Sequence, residues 1–90
     1  MPQRAVTVGT TPTRLCSANP YRKGLMIYNT DTDVTVYLGD KNVRTSGDRM
    51  GIALLPSQLI SMNLQDEERT KEWYGIVSSG TVVVVVYETW

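Results

Sequence analysis

The ninety residues predict an all-β chain, a single small β-sandwich or jelly-roll-like domain of eight or nine short strands. Three observations carry that expectation. Short runs rich in valine, isoleucine, threonine and tyrosine recur at intervals of about 8–12 residues, each bounded by turn residues. No window has a convincing helical period. The stretch Gly80-Thr81-Val82-Val83-Val84-Val85-Val86-Tyr87-Glu88 sets five valines in succession. Valine is stiff at χ1 and Ser78-Ser79-Gly80 breaks the chain just before it, so this run is a strand rather than a helix. Strand side chains alternate between faces, so the valine run is expected to be covered on both, within a sheet or between layers.

The chain supplies the remaining strands in order. Arg4-Ala5-Val6-Thr7-Val8 is a short strand with Val6 and Val8 on one face, and residues 1–4 form an N-terminal arm. Gly9-Thr10-Thr11-Pro12 breaks it, and Thr13-Arg14-Leu15-Cys16-Ser17 is the next strand. Asn19-Pro20 ends that one, because proline biases the residue before it away from the helical region. Gly24-Leu25-Met26-Ile27-Tyr28-Asn29 places Leu25 and Ile27 on one face and Met26 and Tyr28 on the other. Thr30-Asp31-Thr32-Asp33 is a turn of residues that hydrogen-bond their own backbone. Val34-Thr35-Val36-Tyr37-Leu38-Gly39 alternates cleanly and is expected to form a hairpin with the strand before it.

Asp40-Lys41-Asn42 turns the chain, Val43-Arg44-Thr45 is a short edge strand, and Ser46-Gly47-Asp48 turns it again. Residues 50–55 are extended and apolar until Pro56-Ser57, and Ile60, Met62 and Leu64 then alternate. The charged window 65–72 is expected to be a solvated loop rather than a helical turn. Trp73-Tyr74-Gly75-Ile76-Val77 is the penultimate strand, expected to pair with the valine strand across Ser78-Ser79-Gly80. No repeat or interdomain linker divides residues 1–90, which read as one domain.

Nine basic and nine acidic residues balance, which argues against a general binder of nucleic acid or of acidic membranes. The distribution is uneven. Residues 1–30 carry Arg4, Arg14, Arg22 and Lys23 and no carboxylate, whereas the remainder sets five cations against nine acids. The first third is thus +4 and the rest −4. Cys16 is the one cysteine, so an internal disulfide and a thiolate cluster are excluded, and a small buried apolar role is expected for it. The start of the chain lacks the apolar run of a signal peptide and no segment reaches membrane-spanning length, so synthesis in the host cytoplasm as a soluble protein is expected.

Histidine is absent, which removes the commonest general base and metal ligand and every serine–histidine or cysteine–histidine arrangement within the chain. Gly47-Asp48-Arg49-Met50-Gly51 lacks the spacing and context of a phosphate loop. Asp31 and Asp33 offer too few oxygens for calcium and read as an Asx-type turn. Asp66-Glu67-Glu68 lies on one loop rather than across a cleft, so it reads as solvated charge. The expectation is therefore no catalysis, no cofactor, no metal and no small-molecule substrate. All seven aromatics are tyrosine or tryptophan, whose polar handles suit a wet or subunit boundary. The candidate protein-interface residues are Arg4, Arg14, Arg22, Lys23, Trp73, Tyr74 and Trp90. Trp90 either folds back on its own sandwich or docks on a neighbouring subunit.

Arg22 stands before Leu25-Met26-Ile27-Tyr28-Asn29, and Val36-Tyr37-Leu38-Gly39 and Val43-Arg44-Thr45 follow. Then come Gly51, Leu54-Leu55-Pro56, the run Trp73-Tyr74-Gly75-Ile76-Val77-Ser78-Ser79-Gly80-Thr81, and the valine strand with Glu88. This order, over residues 4–88, resembles small all-β accessory proteins of tailed-bacteriophage virions, of the head decoration (cement) or head-fibre type. The resemblance implies a structural subunit on the capsid surface that binds the major capsid protein or other virion subunits as a homo-oligomer, trimer or dimer. It carries no catalytic residue. Two other readings remain open: a tail, neck or baseplate component, and a carbohydrate-binding module that uses tyrosine and tryptophan for host attachment.

Overall fold

A strand of alternating burial lies at the centre of the architecture. In the computed structural model, which describes residues 3–62 and 70–89, β8 (Val82–Thr89) buries Val82, Val84, Val86 and Glu88. Val83, Val85, Tyr87 and Thr89 lie on the other face, half-buried or exposed. The valine run is thus internal to a sheet, but among the described residues nothing packs over its second face as the opposite sheet packs over the first. Period-two geometry accounts for this: five valines in a row give each face its share, and the opposite sheet covers one of them.

Seven further strands precede it: β1 (Gln3–Val8), β2 (Thr13–Cys16), β3 (Gly24–Asn29), β4 (Val36–Gly39), β5 (Ile52–Leu54), β6 (Leu59–Met62) and β7 (Trp73–Ile76). They form two antiparallel sheets of four strands, in the orders β1-β8-β3-β6 and β2-β7-β4-β5. The pairing is nested, with β1 on β8, β2 on β7, β3 on β6 and β4 on β5. The chain therefore behaves as one long antiparallel ribbon rolled over itself. The pairs β3·β8 and β4·β7 close the roll into two layers. That is the jelly-roll arrangement of an eight-stranded sandwich.

This topology corrects two local pairings expected from sequence adjacency. β3 and β4 are not a hairpin, since β3 lies between β8 and β6 while β4 lies between β7 and β5. β7 does not pair with β8, and Ser78-Ser79-Gly80 is a corner between sheets rather than a hairpin loop. The nested ribbon makes every connection except β4 to β5 a crossing from layer to layer. Two further corrections concern strand extent. Residues 43–45 contribute a single bridge, Arg44 to Met50, beside the 3-10 turn Gly47–Arg49. Arg4 lies within β1 rather than in an arm. The loop expected over 65–72 falls largely on residues 63–69, outside the described residues.

The β3-to-β4 crossing is held by Asn29, fully buried at the end of β3. Its Nδ2 donates to the carbonyls of Val34 at 2.8 Å, Leu54 at 3.1 Å and Leu55 at 3.3 Å, while Oδ1 accepts from Asp31 N–H at 3.0 Å. One amide thereby ties β3 of one sheet to the approaches of β4 and β5 in the other. Asp31 completes the corner as an Asx turn, its Oδ2 accepting from the N–H groups of Asp33 at 2.8 Å and Val34 at 2.6 Å. At the far end of β4 the backbone approaches so closely that a Cβ on Gly51 would lie 2.5 Å from Leu38 O. Between the sheets, Val8, Leu15, Leu25, Ile27, Val36, Leu38, Leu54, Val84 and Val86 are essentially fully buried. Each contributes about 1.5–3 kcal/mol relative to an exposed position.

Candidate interaction surface

The charged residues of the N-terminal third divide between the interior and the surface. Arg22 is 1% exposed. Its Nε donates to Glu88 Oε1 at 2.8 Å, and Nη2 approaches the same oxygen at 2.6 Å. Nη1 donates to Lys71 O at 3.1 Å, and Nη2 also donates to Ser17 O. From the opposite side Arg4 Nη1 meets Glu88 Oε2 at 2.8 Å, and its Nη2 donates to Leu15 O at 2.6 Å. Glu88 is thus clamped between two guanidiniums that also bind carbonyls on β2 and in the segments after it and before β7. The network joins the two sheets at one end of the sandwich. No buried side-chain nitrogen or oxygen among the described residues lacks a partner, as a buried polar network requires.

This geometry redistributes the residues expected at an interface. Arg22 is withdrawn from any partner surface, because its charge is compensated by Glu88 inside the fold. Trp73 is also withdrawn, at 7% exposed and packed in the core. Arg4 retains an exposed flank while its donors are engaged. Lys23 is exposed. Arg14, exposed on β2, stands in register with the half-buried Tyr74 of β7, so these two are brought together on the outer side of the β2-β7-β4-β5 sheet. Trp90 lies outside the described residues.

The outer face of the other sheet is a surface that residue-by-residue reading passed over. Across the outer face of the β1-β8-β3-β6 sheet, the register aligns Ala5, Val85, Tyr28 and Leu59 in one row. Gln3, Tyr87, Met26 and Ser61 form the next row, with Thr7 beside Val83 on the other side. Leu59 is 53% exposed, Val83 43% and Tyr28 37%. Among the described residues of these strands, none on this face carries a charge. The signal for it lay in the valine run: an odd-numbered set of side chains as apolar as the even-numbered set. The signal for the internal ion pair also lay there. Glu88 continues the inward parity of Val82, Val84 and Val86, and a carboxylate in that position needs a cation beside it.

Two open depressions flank the sandwich. One, of about 430 Å³, lies against the ion network and is lined by Arg4, Arg14, Ser17, Asn19 and Glu88 among others. The other, of about 580 Å³, has Leu38, Val43, Ile52 and Trp73 in its wall and Asp40, Asp48 and Arg49 at its rim. Neither sets a nucleophile against a base, and no group of three or more Cys, Asp or Glu among the described residues converges as a metal site. Cys16 is buried, as expected of a lone apolar cysteine, and burial pushes its thiol pKa up while Arg22 partly opposes that shift. A raised pKa keeps the thiol protonated and unreactive. What the geometry provides is flat sheet surface. No family model, no curated protein and no solved structure matches the chain.

Proposed function

We propose that this protein acts by assembly, as a structural subunit of a tailed-bacteriophage virion that binds and stabilises the capsid surface as a decoration or cement protein. The observation that carries the proposal is the outer face of the β1-β8-β3-β6 sheet, whose described residues are uncharged and largely apolar. Apolar sheet surface of this extent is a protein-contact surface, since water is a poor neighbour for it. The jelly roll is compatible with this role, because the architecture recurs among viral capsid domains. The sequence resemblance points the same way. Physically, a subunit that binds the assembled shell and not its dispersed components stabilises the shell by mass action. The opposite sheet, with Arg14 and Tyr74 side by side, is the surface assigned to the major capsid protein. Labelling virions with an antibody against the protein and imaging them by electron microscopy tests the assignment. Label distributed over the head supports it, label confined to the tail or baseplate transfers the protein to that structure, and unlabelled virions refute it.

A further inference from the structure

The outer face of the β1-β8-β3-β6 sheet has a property that an arbitrary contact surface lacks: it is complementary to itself. Across the strands, the row Ala5, Val85, Tyr28, Leu59 sets smaller side chains on β1 and β8 and larger ones on β3 and β6. The neighbouring row Gln3, Tyr87, Met26, Ser61 is polar at both ends and apolar in the middle. A two-fold axis lying in the contact plane along the strand direction sets β1 of one copy over β6 of the other, and β8 over β3. Ala5 then faces Leu59 and Val85 faces Tyr28, so small side chains receive large ones. In the second row Gln3 faces Ser61, and Tyr87 faces Met26 in a sulfur–aromatic pair. Aligned sheets pack with strand directions within about 30° of each other, so these pairings survive the sheet twist.

We infer that this face is occupied by a second copy of the same chain, packed sheet to sheet about that axis. An isologous contact requires a patch that tolerates its own image, and a patch with no charge meets no like-charge repulsion there. The face spans all four strands of the sheet, with Tyr28, Leu59 and Val83 exposed on it. The second copy also supplies cover for the exposed Val83 and the half-buried Val85. The inference deepens the assembly reading by naming the occupant of one face, and leaves the Arg14–Tyr74 face to a different partner.

The test is the mass of the purified protein by light scattering, followed by a charge pair. The wild type is expected at twice the chain mass. Leu59→Glu, at an exposed position on an edge strand, is expected to give a monomer with an unchanged circular dichroism spectrum, and adding Ala5→Lys to it restores the dimer. A monomeric wild type overturns the inference without any variant, as does a folded Leu59→Glu protein that remains dimeric. Should Leu59→Glu fail to fold, Ala5→Cys with Leu59→Cys decides. Oxidation linking two chains supports the contact, and a dimer that yields no linked chains overturns it. A dimer that does not bind capsids contradicts the virion assignment while leaving this contact standing.

Discussion

Arg22 and Glu88, 66 positions apart, meet through a 2.8 Å hydrogen bond in the interior of the sandwich, and neither retains appreciable contact with water. The pair locks the entrance of β3 to the end of β8 and, through the carbonyls of Ser17 and Lys71, to the opposite sheet. Breaking a buried pair on one side is costlier than removing both partners, because an uncompensated charge remains. Glu88→Gln is therefore expected to lower unfolding free energy by about 3 kcal/mol. The double replacement Arg22→Met with Glu88→Leu is expected to recover most of it. Arg4→Ala, on the exposed flank of the network, is expected to cost about 1 kcal/mol or less. Urea denaturation of the three variants checks this ordering.

Asn29 is the sheet-crossing clamp. Asn29→Ala leaves the carbonyls of Val34, Leu54 and Leu55 without their shared donor and is expected to destabilise by about 2–3 kcal/mol. Asn29→Asp is expected to be worse, since it presents a carboxylate to three acceptors. Thermal unfolding of both variants discriminates a donor role from simple packing, which would rank them the other way.

Gly51 owes its identity to close packing rather than to a turn. Any side chain there meets the Leu38 backbone, so Gly51→Ala is expected to cost about 1–3 kcal/mol by forcing β4 and the segment before β5 apart. Gly47→Ala, where the space is open and φ is +83°, is expected to cost about 1 kcal/mol through backbone strain. Denaturant midpoints for the two variants separate the mechanisms.

Cys16 links folding to alkaline pH. Burial raises its folded pKa above the ordinary value of 9.0, so its contribution to stability is fully present below 9.0. As pH rises further, the unfolded chain ionises its thiol first, and the contribution is lost as pH climbs through the raised folded value. The stability difference between wild type and Cys16→Ala is therefore expected to shrink on passing from below to above that range. Unfolding curves at the two pH values measure it, and a difference that stays constant contradicts the buried-thiol account.

Local signals in the chain were strong and long-range ones weak. Turn residues and alternation located the strands well, because both depend on a few neighbouring positions, as Leu25 and Ile27 against Met26 and Tyr28 demonstrate. Partner choice was not local. β3 and β4 adjoin in sequence and read as a hairpin, yet Asn29 and Asp31 build a corner that sends β4 to the other layer. The interface set suffered for a related reason. Charge counted along the chain made Arg22 a surface residue, whereas its carboxylate lay 66 positions downstream in a strand whose parity pointed inward. The apolar outer face was legible in the valine run, provided the exposed parity was read as surface rather than as a second buried side.

The most direct test of assembly through the sheet face is co-sedimentation with purified capsids, comparing the wild type with Leu59→Glu. The wild type is expected to pellet with capsids to a saturating ratio, and Leu59→Glu to bind more weakly because it has lost the second copy's contribution to the contact. Wild-type protein left in the supernatant, or equal binding by both, would contradict the account.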